Sequence, residues 1–301
     1  MAFVKDGCPY LKCRRCGFLF YRHDPDRAEA PSPARYGHEY WESERAEALR
    51  RENVDGFIRA IELIYLSAIR VENILDFGCG LGVTVRLLRD RLGVNAVGVD
   101  VTGEFDETDF LHRCDLKELM SKYPRAYFDA IFSIEVFEHL ENPGDVLKSL
   151  DALLKPGGKI LINTGTQEFL RISDPKLAYV DPIGRGHISI YSFESFVTLG
   201  AAVGRRASFL GERKYEVILL PPEDPLFPHP ENTRLMLKIG EWFPVFMQEY
   251  MRLALAERAS APPRAWTMQI FKAASALSPG LVRFLKTMPL LRKAWRKISR
   301  Y

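Results

Sequence analysis

Between about residues 73 and 165 the chain alternates short apolar blocks with stretches whose apolar residues recur at helical spacing. "NILDFG" (73–78), "NAVGVD" (95–100), "FDAIFSI" (128–134) and "KILINTG" (159–165) read as strands. "VTVRLLRDRL" (83–92) and "GDVLKSLDALL" (144–154) read as helices, and "KPGG" as the turn after the second of these. Strands rich in β-branched residues that alternate with helices predict a parallel sheet covered on both faces, an α/β doubly wound fold. Such sheets bind ligands beyond the C-terminal ends of their strands. Upstream, Phe57, Ile58, Ile61, Ile64 and Tyr65 keep helical spacing, which predicts a helix within residues 40–70. Downstream, 192–204 reads as a helix and "RRASFL" and "KYEVILL" as the last strands. Residues 1–40 read as an irregular segment, 41–222 as the main domain, and 223–301, beyond a proline-rich break, as a helical extension.

"LDFGCGLG" is the most informative stretch. Gly78, Gly80 and Gly82 let a strand turn into a helix while a ligand approaches the backbone. A dinucleotide fingerprint needs a small residue at 83, where this chain has Val83. Asp76 precedes the first glycine and would repel a pyrophosphate but suit an amine, and Asp100 ends the second strand, where a carboxylate can accept ribose hydroxyls. These residues imply a nucleoside ligand with a cationic, amine-bearing tail.

"ILDFGCGLG", "AVGVD", "CDLKEL", "FDAIFSIEVFEHLENP" and "LLKPGGKILI", in that order, resemble class I S-adenosylmethionine-dependent methyltransferases over about residues 50–220. The resemblance implies a Rossmann-like sheet, mostly parallel with an antiparallel last strand. It implies S-adenosylmethionine as cofactor, with Asp76, Gly78 and Gly80 along the methionine moiety, Asp100 at the ribose and Asp115 with Leu116 flanking the adenine. Cys79, Gly82, Val101, Ile134 and Glu135 complete the expected cofactor lining.

"SIEVFEHLENP" (133–143) follows a strand at that ligand-bearing edge. Asn142 before Pro143 is placed to cap the next helix. Glu135, Glu138 and His139 fall at i, i+3 and i+4, so on a helical turn they would converge. Two carboxylates and an imidazole suit a divalent ion, Mg, Mn, Fe or Zn, and His187 in "GRGHISIYSFESF" is a fourth candidate ligand. This set resembles the metal site of two O-methyltransferase groups, one in ubiquinone biosynthesis and one acting on the 3′-terminal 2′-hydroxyl of small RNAs. Metal-free acid/base use, with His139 as base and Glu138 and His187 as supports, and a structural role are the alternatives. "NTGTQEF" departs from the T-P-N turn usual in these groups.

Composition changes the picture mainly at the two ends. The 301 residues carry a net charge of +3, yet the last 21 hold seven Lys or Arg and no acid, so the remainder is acidic. Leu281, Val282, Phe284, Leu285, Leu290, Leu291, Trp295 and Ile298 interleave with those cations, a composition suited to anionic membrane surfaces. The helix expected from 233 onwards has an apolar face that docks on the core or on a second subunit. A core without a wide basic surface weighs against nucleic acid as partner. The N-terminus, with Cys13-x2-Cys16 as one metal knuckle and Cys8 at an unusual spacing, resembles a degenerate form of the small zinc ribbon that precedes the catalytic domain in some bacterial methyltransferases. A closed zinc site needs four ligands, so packing as small apolar residues is preferred to zinc. Tyr36, Tyr40 and Trp41 are candidates for a lid. No secretory signal opens the chain, so a cytoplasmic location is expected, with peripheral membrane contact through 281–301. The reading is O-methylation of a small-molecule or glycan hydroxyl by S-adenosylmethionine, against RNA 3′-end methylation or a non-catalytic cofactor-binding module.

Overall fold

A computed structural model of the chain describes residues 3–5, 7–21, 52–170, 172, 179–209, 216–224 and 232. The expected lid residues Tyr36, Tyr40 and Trp41 and, apart from residues 223, 224 and 232, the helical extension with its basic tail lie outside the described residues.

Seven strands form the main sheet: β4 (Asn73–Phe77), β5 (Asn95–Val99), β6 (Leu111–His112), β7 (Phe128–Ile134), β8 (Leu154–Asn163), β10 (Arg206–Phe209) and β11 (Glu216–Leu220). Their spatial order is β10-β11-β8-β7-β4-β5-β6. Strands β4 to β8 pair in parallel, and β11 runs antiparallel between β8 and β10, as expected of the last strand. Successive side chains of a strand point to opposite faces, which builds two cores. Ile74, Ala130, Phe132, Leu161 and Ile218 pack on one face with α1 (Glu52–Tyr65) and α2 (Val83–Leu87), whose path continues as a π-type turn over Leu88–Leu92. Leu75, Ile131, Ile160, Ile162 and Val217 pack on the other with α3 (Leu116–Lys122), α4 (Pro143–Leu153) and α5 (Phe193–Ala202).

Three expectations change. "KPGG" is not a turn before β8 but a bulge within it, because five residues of β8 advance between the Leu154 and Lys159 pairings while β7 advances two. Asn142 stands at the N-cap of α4 without a side-chain cap bond; its ψ of 66° departs from the extended backbone of Asp115 and Ser192, whose side chains cap α3 and α5. The N-terminus is not irregular over the described residues. Strands β1 (Phe3–Lys5), β2 (Cys8–Lys12) and β3 (Leu19–Tyr21) form an antiparallel sheet that continues onto β9 (Ser189–Ile190). Alternation buries Cys8, Tyr10, Leu19 and Tyr21 on one face, a signal spread over strands too short to stand out among turn residues.

Polar ties fasten the chain beyond residue 222 to this core. Lys159 on β8 is fully buried, donates to the Leu66 carbonyl and pairs with Asp224 at 2.9 Å. Asn232 donates to the carbonyls of Ile64, Ser67 and Ile69 and accepts the Val71 N–H at 3.0 Å, so one side chain satisfies the backbone where α1 ends. Removing one partner of a buried ion pair leaves an uncompensated charge. Asp224→Ala is therefore expected to lower stability by about 3 kcal/mol, read as a lower urea midpoint at unchanged slope; an unmoved midpoint would show that water replaces the carboxylate.

Candidate active site

The C-terminal ends of the parallel strands carry the predicted ligand residues. Gly78, Gly80 and Gly82 all have positive φ, and Gly78, at 84°, is closed in from outside as well: a Cβ there would run into Val136. That packing sets the glycine turn against the turn that holds Glu135 and Glu138. From the other side the Asp100 carboxylate accepts Gly80 N–H at 3.0 Å and Thr102 N–H at 2.8 Å, so it is oriented before any ligand arrives. Asp76 is buried, and burial, with the negative charge of Asp100 in addition, pushes its carboxyl well above the ordinary carboxylate range. A cationic group at this spot would restore its charge. Cys79 is buried beside the turn, Ile134 is half-buried at the end of β7, and Val101 is exposed just past β5. Asp115 occupies the N-cap of α3, where it accepts Glu118 N–H at 2.8 Å, with Leu116 beginning the helix.

Past β7 the chain does not enter an α-helix. Glu135 takes φ 54°, a left-handed conformation uncommon outside glycine, and a single 3-10 turn follows over Phe137–His139. The i, i+3, i+4 face expected of a helical turn therefore does not form. What forms instead is a three-residue group: ligand atoms of Glu138, His139 and His187 lie within 4.8 Å of one another. Glu135 stands outside this group, with its carboxyl beside that of Glu138. Burial raises both acids, and the Glu135 charge adds to the rise of Glu138. The Arg59 and Arg185 guanidinium groups moderate the rise of Glu135.

Two histidines are set in one tautomer by carbonyl oxygens, which can only accept. His139 Nδ1 donates to the Gly186 carbonyl at 3.1 Å, and His187 Nδ1 donates to the Tyr179 carbonyl at 2.6 Å. His187 thus keeps an Nε2 lone pair, while the His139 ring has the Glu135 backbone carbonyl as a second neighbour. Burial lowers both, His187 to about 4 with the neighbouring His139 charge contributing, so both are neutral near pH 7. Their ring centroids are 4.9 Å apart. Two neutral imidazole nitrogens and one carboxylate, with the far ring nitrogens tied to backbone, are the donor set and outer support that divalent metal sites use. The residues present fit such an ion.

Tyr179 and Thr164 were not anticipated from the sequence. Glu138 has no exposed surface; its Oε2 accepts Thr164 Oγ1 at 2.8 Å and its Oε1 accepts the Tyr179 hydroxyl at 3.1 Å. The same hydroxyl accepts Gly165 N–H at 2.6 Å. Gly165 belongs to the "NTGTQEF" departure noted above, and a Cβ at that position would strike the Tyr179 ring. The unusual turn is thus the space that admits Tyr179. The only available signal was that glycine, which points to a close approach without naming the side chain. Cys13 and Cys16 adjoin in the β2–β3 turn, where the amides of Cys16 and Arg15 hold the Cys13 thiol below its ordinary value. Cys8 lies at the opposite end of β2, paired with Lys5, so the three thiols do not converge.

The family described as "Methyltransferase domain" matches residues 34–205. Curated relatives include the mitochondrial ubiquinone biosynthesis O-methyltransferase of Dictyostelium discoideum, 33% identical over 33% of this chain and 36% of that protein. The ubiquinone biosynthesis O-methyltransferases of Xanthomonas axonopodis pv. citri and of Bradyrhizobium sp. are 30% and 36% identical, over 36% and 33% of this chain and 50% and 41% of theirs. The chain thus spans between about a third and a half of the length of these relatives. Among solved structures, a SAM dependent methyltransferase from Archaeoglobus fulgidus is similar at TM-score 0.40 and 23% identity, covering 52% of this chain and 69% of that one. With a match over more than half of its residues, the chain belongs to the methyltransferase-domain family.

Proposed function

We propose that the protein is an S-adenosylmethionine-dependent O-methyltransferase of small molecules whose acceptor hydroxyl sits at the Glu138–His139–His187 group with a divalent ion. The observation that carries this reading is that group itself: three donor atoms within 4.8 Å, beside the turn packed on Gly78. The relatives named for O-methylation in ubiquinone biosynthesis support a small-molecule acceptor, and the RNA-end alternative gains no support from them. Among the described residues no helix is long and apolar enough to cross a membrane.

The cofactor supplies an activated methyl group, so the protein's task is alignment and deprotonation. A divalent ion supplies the acidity that a neutral hydroxyl lacks. The chain's own residues do the rest. Asp76 offers a buried carboxylate to the cofactor's amine, and Asp100, oriented by Gly80 and Thr102, faces the ribose hydroxyls. His139 and His187 would hold the ion together with Glu138, and the acceptor proton would then pass to solvent, because an imidazole nitrogen bound to an ion has no lone pair left to take it. Tyr179 and Thr164 keep Glu138 from collapsing onto other donors.

Two outcomes test this reading. Metal analysis of the purified protein is expected to find a divalent ion that Glu138→Gln loses, with affinity down by at least about tenfold, while Glu135→Gln costs less. A metal-free wild type that methylates a catechol would overturn the chelation model. Because burial raises Glu138 and lowers both histidines, ion binding displaces protons from carboxyl rather than imidazole groups. Mn²⁺ affinity should therefore climb with pH from the acidic side and level off once Glu138 is ionised.

The raised Asp76 carboxyl makes a separate prediction for the cofactor. An ammonium group favours the ionised acid, so S-adenosylhomocysteine binding at mildly acidic pH should release a proton. Calorimetry in buffers of different ionisation heat measures this directly. Asp76→Asn should abolish the release and weaken binding by about tenfold or more; a proton release that survives the substitution would assign the amine to another partner.

A further inference from the structure

Among the described residues, the segment that supplies Tyr179 and His187 has no buried apolar cluster separate from the N-terminal sheet. Its buried apolar residues Leu170, Val180, Ile188 and Ile190 pack with Cys8, Tyr10, Leu19 and Tyr21 from the N-terminal sheet, and with no other described residue at full burial in that cluster. Backbone pairing continues the contact. Tyr21 N–H donates to the Ile188 carbonyl at 2.7 Å, and Leu19 and Phe20 pair with Ile190 and Ser189. His187 is held at both ends: its ring by the Tyr179 carbonyl, and its own carbonyl by the Tyr10 hydroxyl at 2.6 Å across 177 residues of sequence.

The sheet is in turn anchored to the methyltransferase core at its far end. Ser192, the N-cap of α5, donates to the Cys16 carbonyl at 2.6 Å. Gln167 donates to the carbonyls of Gly17 at 2.8 Å and Ile190 at 3.0 Å. Phe3 stacks on Tyr10 at 4.8 Å, which fixes the phenol ring in place. Burial pushes the Tyr10 hydroxyl far above its ordinary value, so it remains a donor.

We infer that the N-terminal sheet, residues 3–21, is a positioning element of the catalytic centre, and that Tyr10 is the residue through which it fixes His187. This rests on the reading of His187 as a ligand in the proposed ion site. Tyr10 acts on where the peptide of His187 lies, and so on where Nε2 points. Outer contacts of this kind commonly change metal affinity by about 10- to 100-fold without changing the ligands.

The test uses the full chain with Tyr10→Phe, which keeps the ring and removes the donor, and Val197→Ala on the exposed side of α5 as control. Mn²⁺ affinity by electron paramagnetic resonance is expected to fall about tenfold in Tyr10→Phe and to hold in Val197→Ala, with S-adenosylhomocysteine affinity unchanged in both. Wild-type Mn²⁺ affinity in a Tyr10→Phe protein that merely melts earlier would overturn the inference and leave the ion site standing. If wild type binds no Mn²⁺, the ion reading fails, and the imidazole ¹⁵N resonances of His187 decide the positioning claim: moved by Tyr10→Phe they support it, unmoved they overturn it. Should Tyr10→Phe not fold, Phe3→Leu, which loosens the ring and keeps the hydroxyl, is measured in the same two ways. A fall in Mn²⁺ affinity or a shift of the His187 resonances then supports the inference, and wild-type values overturn it.

Discussion

A carboxyl group with no exposed surface must be satisfied from every side, and Glu138 imposes that demand on the whole catalytic edge of the sheet. Thr164 comes from the end of β8 and Tyr179 from the segment after it, while Glu135 closes the group from the preceding turn. Each of these neighbours is itself fixed by something further out. Gly165 leaves room for the Tyr179 ring, and the left-handed backbone at Glu135 turns its side chain back toward Glu138. Strain at a non-glycine residue persists only where the surroundings over-determine it, and here a buried acid and two histidines do so.

The same demand joins two sites of different chemistry. Val136 packs against Gly78, so the turn that shapes the acid–imidazole group also floors the glycine turn. Asp76 and Asp100 form a carboxylate pair suited to a cation, and Glu138, His139 and His187 a set suited to a metal and an oxygen. A methyl donor and its acceptor need such adjacency, since transfer rewards correct alignment over covalent help.

Legibility followed the range of the interactions. The strands from Asn73 to Asn163, the glycine turn and Asp100 are local patterns, and they stand where the sequence places them. Glu138, His139 and His187 were nameable as residues, but the helical spacing that grouped Glu135 with them assumed a backbone that φ 54° rules out. "KPGG" has turn composition and is a turn in a sense, folded into a bulge that β7 pairing bridges. Tyr179, Thr164 and Tyr10 act through contacts separated by 26 to 177 residues, for which a single chain leaves no periodic trace. The short strands at the N-terminus resemble a linker in composition because their partner strand, β9, lies far downstream.

Asn232 gives the molecule an order of completion. The carbonyls after α1 find their donors in a side chain that lies more than 160 residues later, just as β3 finds its neighbour only at Ser189–Ile190. During synthesis the N-terminal sheet would therefore leave the ribosome with an edge that closes only once Ser189–Ile190 has emerged, and the end of α1 would wait longer still, for Asn232. Native structure in these segments is, in that sense, written far downstream of them.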